Sequence, residues 1–117
     1  MAIGDEIFGI HGTALELRAQ RMGLLASNIA NAATPGFKAK DLDFTQALNA
    51  ASAGESTDAA ATGSTMFRVP LQPSVDGNTV ELSTEQTQFA ENAVQYQTTL
   101  SFLNGRINTL TRALRGE

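Results

Sequence analysis

A chain of 117 residues, 42% hydrophobic and 17% charged, has the composition of one globular domain rather than a disordered tail. Its net charge of −4, with basic residues scattered along the chain, excludes the basic stripe that a nucleic-acid partner requires. The absence of cysteine excludes disulfides and thiolate metal sites. Six Phe, one Tyr and no Trp leave few large side chains for a core, so a compact core would be modest.

The first element is a helix within residues 1–32. Ile3, Ile7, Ile10, Ala14, Leu17 and Leu24 recur at spacings of four and three, which places them on one helix face. Gly4, Gly9, Gly12 and Gly23 weaken it, each by about 1 kcal/mol relative to Ala. Thr13 with Glu16 offers an inner capping box, so residues 1–12 are expected to fray when alone. The segment MAIGDEIFGIHG has acids where a signal peptide carries basic residues. No run reaches the roughly 20 apolar residues that span a bilayer. The expectation is a chain that is cytoplasmic or exported by a route that cleaves no signal. His11 is the single histidine, which excludes multi-histidine metal sites and reads as a surface or packing residue.

The helix stops in LASNIANAATPGFKAKDLDF. Asn28, Asn31 and Thr34 have side chains able to bond the last helical backbone groups or the turn beyond them. Pro35 drives Thr34 out of the helical region, Gly36 permits a positive φ, and Phe37 follows. Lys38, Lys40, Asp41 and Asp43 alternate in sign and read as a solvated strand edge or as an intersubunit salt-bridge patch. Residues 33–82 form an extended middle segment. Within it, NAASAGESTDAAATGST (49–65) has no large apolar residue and is expected to be a flexible loop. MFRVPLQP and NTVELS flank the turn Asp76-Gly77-Asn78, which predicts a β-hairpin over about 66–82, with Pro70 and Pro73 confining its first arm to an edge.

The last element, residues 83–117, is a second helix. Phe89, Ala93, Tyr96, Leu100, Leu103, Ile107, Leu110 and Leu114 form a heptad stripe of about four repeats, the pattern of a helix packed along a partner helix. That partner is the first helix, another subunit, or both. Ser83 with Gln86 suggests a capping box, and Arg112, Arg115 and Gly116 suit a helix end. A helix of roughly 45–50 Å is too long for one small globule. Two apolar stripes with almost no third layer make an assembly subunit a more natural reading than an enzyme, and no residue set suggests a catalytic, cofactor or metal site.

The stretch LASNIANAATPGFKAKDLDF also resembles the N-terminal signature of the bacterial flagellar rod, hook and hook-associated axial proteins, with its paired asparagines, Thr-Pro-Gly and aromatic. QPSVDGNTVELSTEQTQFAENAVQYQTTLSFL is similar to the proximal rod members of that family, and the two matches span roughly residues 13–48 and 66–114. Ala33 and Phe37 depart from the family's usual Asp or Asn and Tyr. The resemblance implies a mainly α fold whose N- and C-terminal helices pair as an antiparallel coiled coil and line the core of a tubular rod. It implies a non-enzymatic structural subunit of the periplasmic rod, exported by the flagellar type III apparatus without a cleaved signal. Its expected partners are copies of itself and other rod and basal-body proteins. No cofactor, nucleic acid, small-molecule substrate or membrane span is implied. The rival readings are the sister proximal rod subunit, a coiled-coil export chaperone and, weakest, a wall hydrolase.

Overall fold

The computed structural model describes residues 3–116, with side chains from Phe8 onward; the side chain of Ile7 in the first stripe lies outside that range. Six elements follow one another: α1 Ile3–Ala30, β1 Lys40–Leu42, α2 Phe44–Ser52, α3 Thr57–Gly63, β2 Thr65–Phe67 and α4 Leu82–Arg115. The protein is mainly helical, with a long helix at each end and a two-stranded sheet between them.

α1 is bent at Gly9, whose φ of 57° and ψ of −140° are open to glycine alone in practice. It ends at Ala30, a little before the expected boundary at 32. α4 runs for 34 residues, roughly 50 Å at 1.5 Å per residue. Its start differs from the expectation: Glu81 is the N-cap without a side-chain bond, so Ser83 and Gln86 lie inside the helix and form no capping box. Its end is Gly116 at φ 75°, whose N–H returns to Ala113 and Arg112.

Four contacts set the course of the two long helices. The His11 ring lies 4.4 Å from that of Phe102. Arg18 Nη1 donates to Gln95 Oε1 at 2.7 Å, Arg21 Nη2 to Gln88 Oε1 at 2.8 Å and Asn28 Nδ2 to Glu85 Oε2 at 2.9 Å. Numbers rise along α1 as they fall along α4, so the helices run in opposite directions. Leu17, Leu25 and Leu103 are buried.

The middle segment departs most from its expected form. Residues 49–65 are ordered rather than a flexible loop, supplying the end of α2 and all of α3. Asp43 caps α2 by accepting from the Gln46 N–H at 3.1 Å, and Ser56 caps α3 by accepting from the Ala59 N–H at 3.2 Å. Ala47, Ala60 and Ala61 are buried; Ala47 and Ala61 pack with Leu17 and Leu42, bordered by Leu24, Phe44 and Leu48. Alanine is the best helix former, and its small face lets these helices approach closely, while the bulk comes from Leu17 and Leu24 of α1, Leu42 of β1 and Phe44 and Leu48 of α2. Arg18 adds its guanidinium over the Phe44 ring at 4.1 Å.

The expected hairpin within 66–82 does not form. β2 pairs antiparallel with β1 instead, in the register Lys40–Phe67, Asp41–Met66 and Leu42–Thr65. The second arm of the expected hairpin is occupied elsewhere: the Thr79 N–H donates to Phe37 O at 2.9 Å and the Ala39 N–H donates to Thr79 Oγ1 at 2.8 Å.

Candidate assembly interface

The exit of α1 is held from two sides. Asn28 is 1% exposed. Its amide donates to Lys40 O at 2.7 Å as well as to Glu85, and its carbonyl accepts from the Lys40 N–H at 3.1 Å. This asparagine therefore ties α1 to β1 and α4 rather than capping its own helix. Asn31 donates to Ser27 O at 2.8 Å and accepts from Thr34 Oγ1 at 3.1 Å. Thr34, Pro35 and Gly36 are exposed, Gly36 has a φ of 75°, and Phe37 is half-buried.

The Asp76-Gly77-Asn78 turn closes over this exit. Asp76 Oδ1 accepts from the Asn78 N–H at 3.0 Å, and Gly77 has a φ of 78°. The Asn78 amide nitrogen lies 2.9, 3.0 and 2.8 Å from the carbonyl oxygens of Asn31, Ala32 and Thr34. The Gly36 N–H donates to Asp76 O at 2.9 Å.

Deeper in, four charges form a neutral set. Arg21 grips Asp41 with two bonds, Nε to Oδ1 at 2.8 Å and Nη2 to Oδ2 at 3.0 Å. Arg68 reaches Asp41 Oδ2 at 3.0 Å and Glu85 Oε1 at 2.6 Å. Burial pushes the Asp41 carboxyl up, but the Arg21 bonds and charge, the Leu42 N–H and Arg68 outweigh it, and its pKa falls below the ordinary value. Arg21, bonded to Asp41, is correspondingly raised. The set joins α1, β1, the residue just after β2 and α4, so the alternating Lys38–Asp43 segment is not simply a solvated edge. Asp41 turns inward and Asp43 caps α2.

The expected stripes divide along their lengths. On α1, Ala14 and Leu17 are buried, Leu24 is half-buried and Ile10 is exposed. On α4, Phe89, Ala93, Tyr96 and Leu100 are half-buried and Leu103 is buried. Ile107, Leu110 and Leu114 remain 41%, 43% and 90% exposed. They continue the same stripe beyond the His11–Phe102 contact, toward the C-terminal end of α4. A second apolar group lies on residues 66–75, where Met66, Phe67, Val69, Leu71 and Val75 are all exposed.

Glu85 and Asn92, both fully buried on α4, were not among the residues expected from the stripe, nor were Arg21 and Arg68. The signal for Glu85 and Asn92 was their seven-residue recurrence with Thr99, a polar line beside the apolar one. Asn92 faces α1, donating to Arg18 O at 2.9 Å.

Among the described residues no group of acidic, histidine or cysteine side chains is placed to hold a metal ion, and no described helix is long and apolar enough to cross a membrane. Residues 8–38 match the family described as flagella basal body rod protein. Relatives named flagellar basal body rod protein FlgB align along most of the chain. That of Aeromonas hydrophila is 46% identical, over 100% of this chain and 99% of its own. That of Cereibacter sphaeroides is 49% identical, over 93% and 94%. That of Escherichia coli is 41% identical, over 87% and 88%.

Proposed function

Since this chain belongs to the FlgB family of flagellar basal body rod proteins, we propose that it is a structural subunit of the proximal rod whose α1 and α4 pair as an antiparallel coiled coil. In this reading α1 and α4 lie toward the rod axis and form part of the export-channel wall. The middle segment carries contacts between subunits, and the assembled rod transmits torque across the periplasm. The subunit reaches its place through the type III export apparatus with its N-terminal segment retained. Its partners are copies of itself and other rod and basal-body proteins.

The observation that carries this reading is the open end of the α4 stripe. Ile107, Leu110 and Leu114 prolong an apolar seam that is already buried at Leu103. Fully burying a leucine or isoleucine contributes about 1.5–3 kcal/mol. A neighbouring helix laid on this end therefore gains several kcal/mol without disturbing the fold of the subunit. The test is expression in a strain lacking the protein, followed by detergent extraction of basal bodies. The subunit is expected to copurify with them and to restore swimming. Its absence from purified basal bodies, with normal cellular levels, overturns the proposal.

A further inference from the structure

We infer that Asn78 is a latch which couples the order of the α1 exit, residues 31–37, to the arrival of the chain 40 and more positions later. Asn31 O, Ala32 O and Thr34 O, in the turn just past the end of α1 at Ala30, all lie within hydrogen-bond distance of the Asn78 amide nitrogen; Asn31 O and Thr34 O also accept from the Thr34 and Phe37 N–H groups. Asn78 is itself committed on every side. Its Oδ1 accepts from the Val80 N–H at 2.7 Å, its N–H donates to Asp76, and its carbonyl accepts from Ser74 Oγ. It is buried.

The segment it closes has little else to hold it. Thr34, Pro35 and Gly36 are exposed, and the local bonds within 31–37 are short-range turns. The long-range bonds come from one stretch of chain: Gly36 N–H to Asp76 O, Thr79 N–H to Phe37 O and Ala39 N–H to Thr79 Oγ1. Asn28 adds a fourth link, to Glu85. A chain that has delivered α1 but not residues 76–85 thus lacks the donors (Asn78 Nδ2, Thr79 N–H) and acceptors (Asp76 O, Thr79 Oγ1, Glu85 Oε2) that shape the exit. The paired asparagines and Thr-Pro-Gly do not fold as a self-contained motif. They take their form when Asn78 docks. The inference deepens the proposed rod reading by naming a folding control within the subunit, but its test uses the isolated chain.

Amide hydrogen exchange on the purified full-length protein tests this latch. In Asn78→Asp the acceptor for Val80 is kept while the amide donor is lost and a negative charge faces three carbonyls. The amides of Asn31, Thr34, Gly36, Phe37 and Thr79 are expected to exchange at least about tenfold faster, while those of Leu103 and Leu17 keep their protection. Unchanged exchange at Gly36 and Thr79, or an equal loss throughout the chain, overturns the latch. A measurement on the unmodified protein guards against a variant that does not fold. In low denaturant, Gly36, Thr79 and Val80 are expected to open together with one dependence on denaturant. Exchange of Thr79 and Val80 roughly tenfold or more ahead of Gly36 also overturns it. Neither failure affects whether the protein is found in basal bodies.

Discussion

Arg68 Nε stands 2.6 Å from Glu85 Oε1, and Glu85 is 0% exposed. Removing one member of a buried ion pair leaves the other charged and unpaired, which costs about 3–5 kcal/mol. Arg68→Ala is therefore expected to destabilise the protein by about 3 kcal/mol or more in urea unfolding. Val69→Ala, one position on and 84% exposed, is expected to stay within about 0.5 kcal/mol. Equal effects at the two positions would show that the charge set does not hold the middle segment to α4.

Asp41 sets a dependence on acid. Its folded-state pKa lies below the ordinary value, because the bonds and charge of Arg21, the Leu42 N–H and Arg68 outweigh burial. A depressed carboxyl contributes stability that is fully present above its unfolded value, about 3.9, and is lost as pH falls through the folded value. Stability measured from pH 6 downward is expected to drop below about pH 4. Asp41→Asn is expected to be less stable at pH 6 and to lose less on acidification. A parallel decline in both proteins would remove Asp41 as a source of the dependence.

The two ends of the α4 stripe are expected to respond differently. Leu103 is buried within the subunit, so Leu103→Asp is expected to unfold the isolated chain by several kcal/mol and says little about assembly. Leu110→Asp, on the open end, is expected to cost under about 1 kcal/mol in the isolated chain and yet to abolish swimming and incorporation into basal bodies. Normal motility of the Leu110→Asp strain would mean that this end of α4 is not an interface.

Alanine packing in the middle segment gives a further test. Ala61 lies in the cluster with Leu17, Leu42 and Ala47, and Ala61→Val is expected to cost about 1–3 kcal/mol through overpacking. Ala59→Ser, on the exposed side of α3, is expected to cost less than about 1 kcal/mol. Thermal unfolding of both variants distinguishes a packed helix from a tolerant loop.

The long helices were legible in the sequence because their evidence is periodic. Leu17 and Leu103 follow it, and Gly116 marks the end of α4 as an αL residue. The order of residues 49–65 was not, because Ala60 and Ala61 carry no signal of burial by themselves. Their neighbours Leu17 and Leu42 come from distant stretches of chain. The hairpin failed for a related reason. Asp76-Gly77-Asn78 makes a turn, but the bonding groups at Asn78 and Thr79 go to the turn after α1 and to Phe37 rather than to β2. A local turn signal specifies a reversal of direction, not the surface on which the returning chain lies. The charge set was hidden because Arg21, Asp41 and Glu85 lie in three separate elements and Arg68 just after a fourth, and only the fold brings them together.

The stretch from Val69 to Val75 has a consequence for the continuity of the chain. It carries two prolines and exposed apolar side chains, Val69 and Leu71 being 84% and 86% exposed. On one flank Arg68 is fastened to Glu85 and Asp41; on the other Asn78 is fastened to the end of α1. Exposed tips of this kind are where proteases cut and where insertions are tolerated. A cut near Leu71 would separate two fragments that stay clasped by these flanking bonds and by the long helices. A nick near Leu71, or a tag inserted there, is therefore expected to leave the two halves of the subunit associated under native conditions.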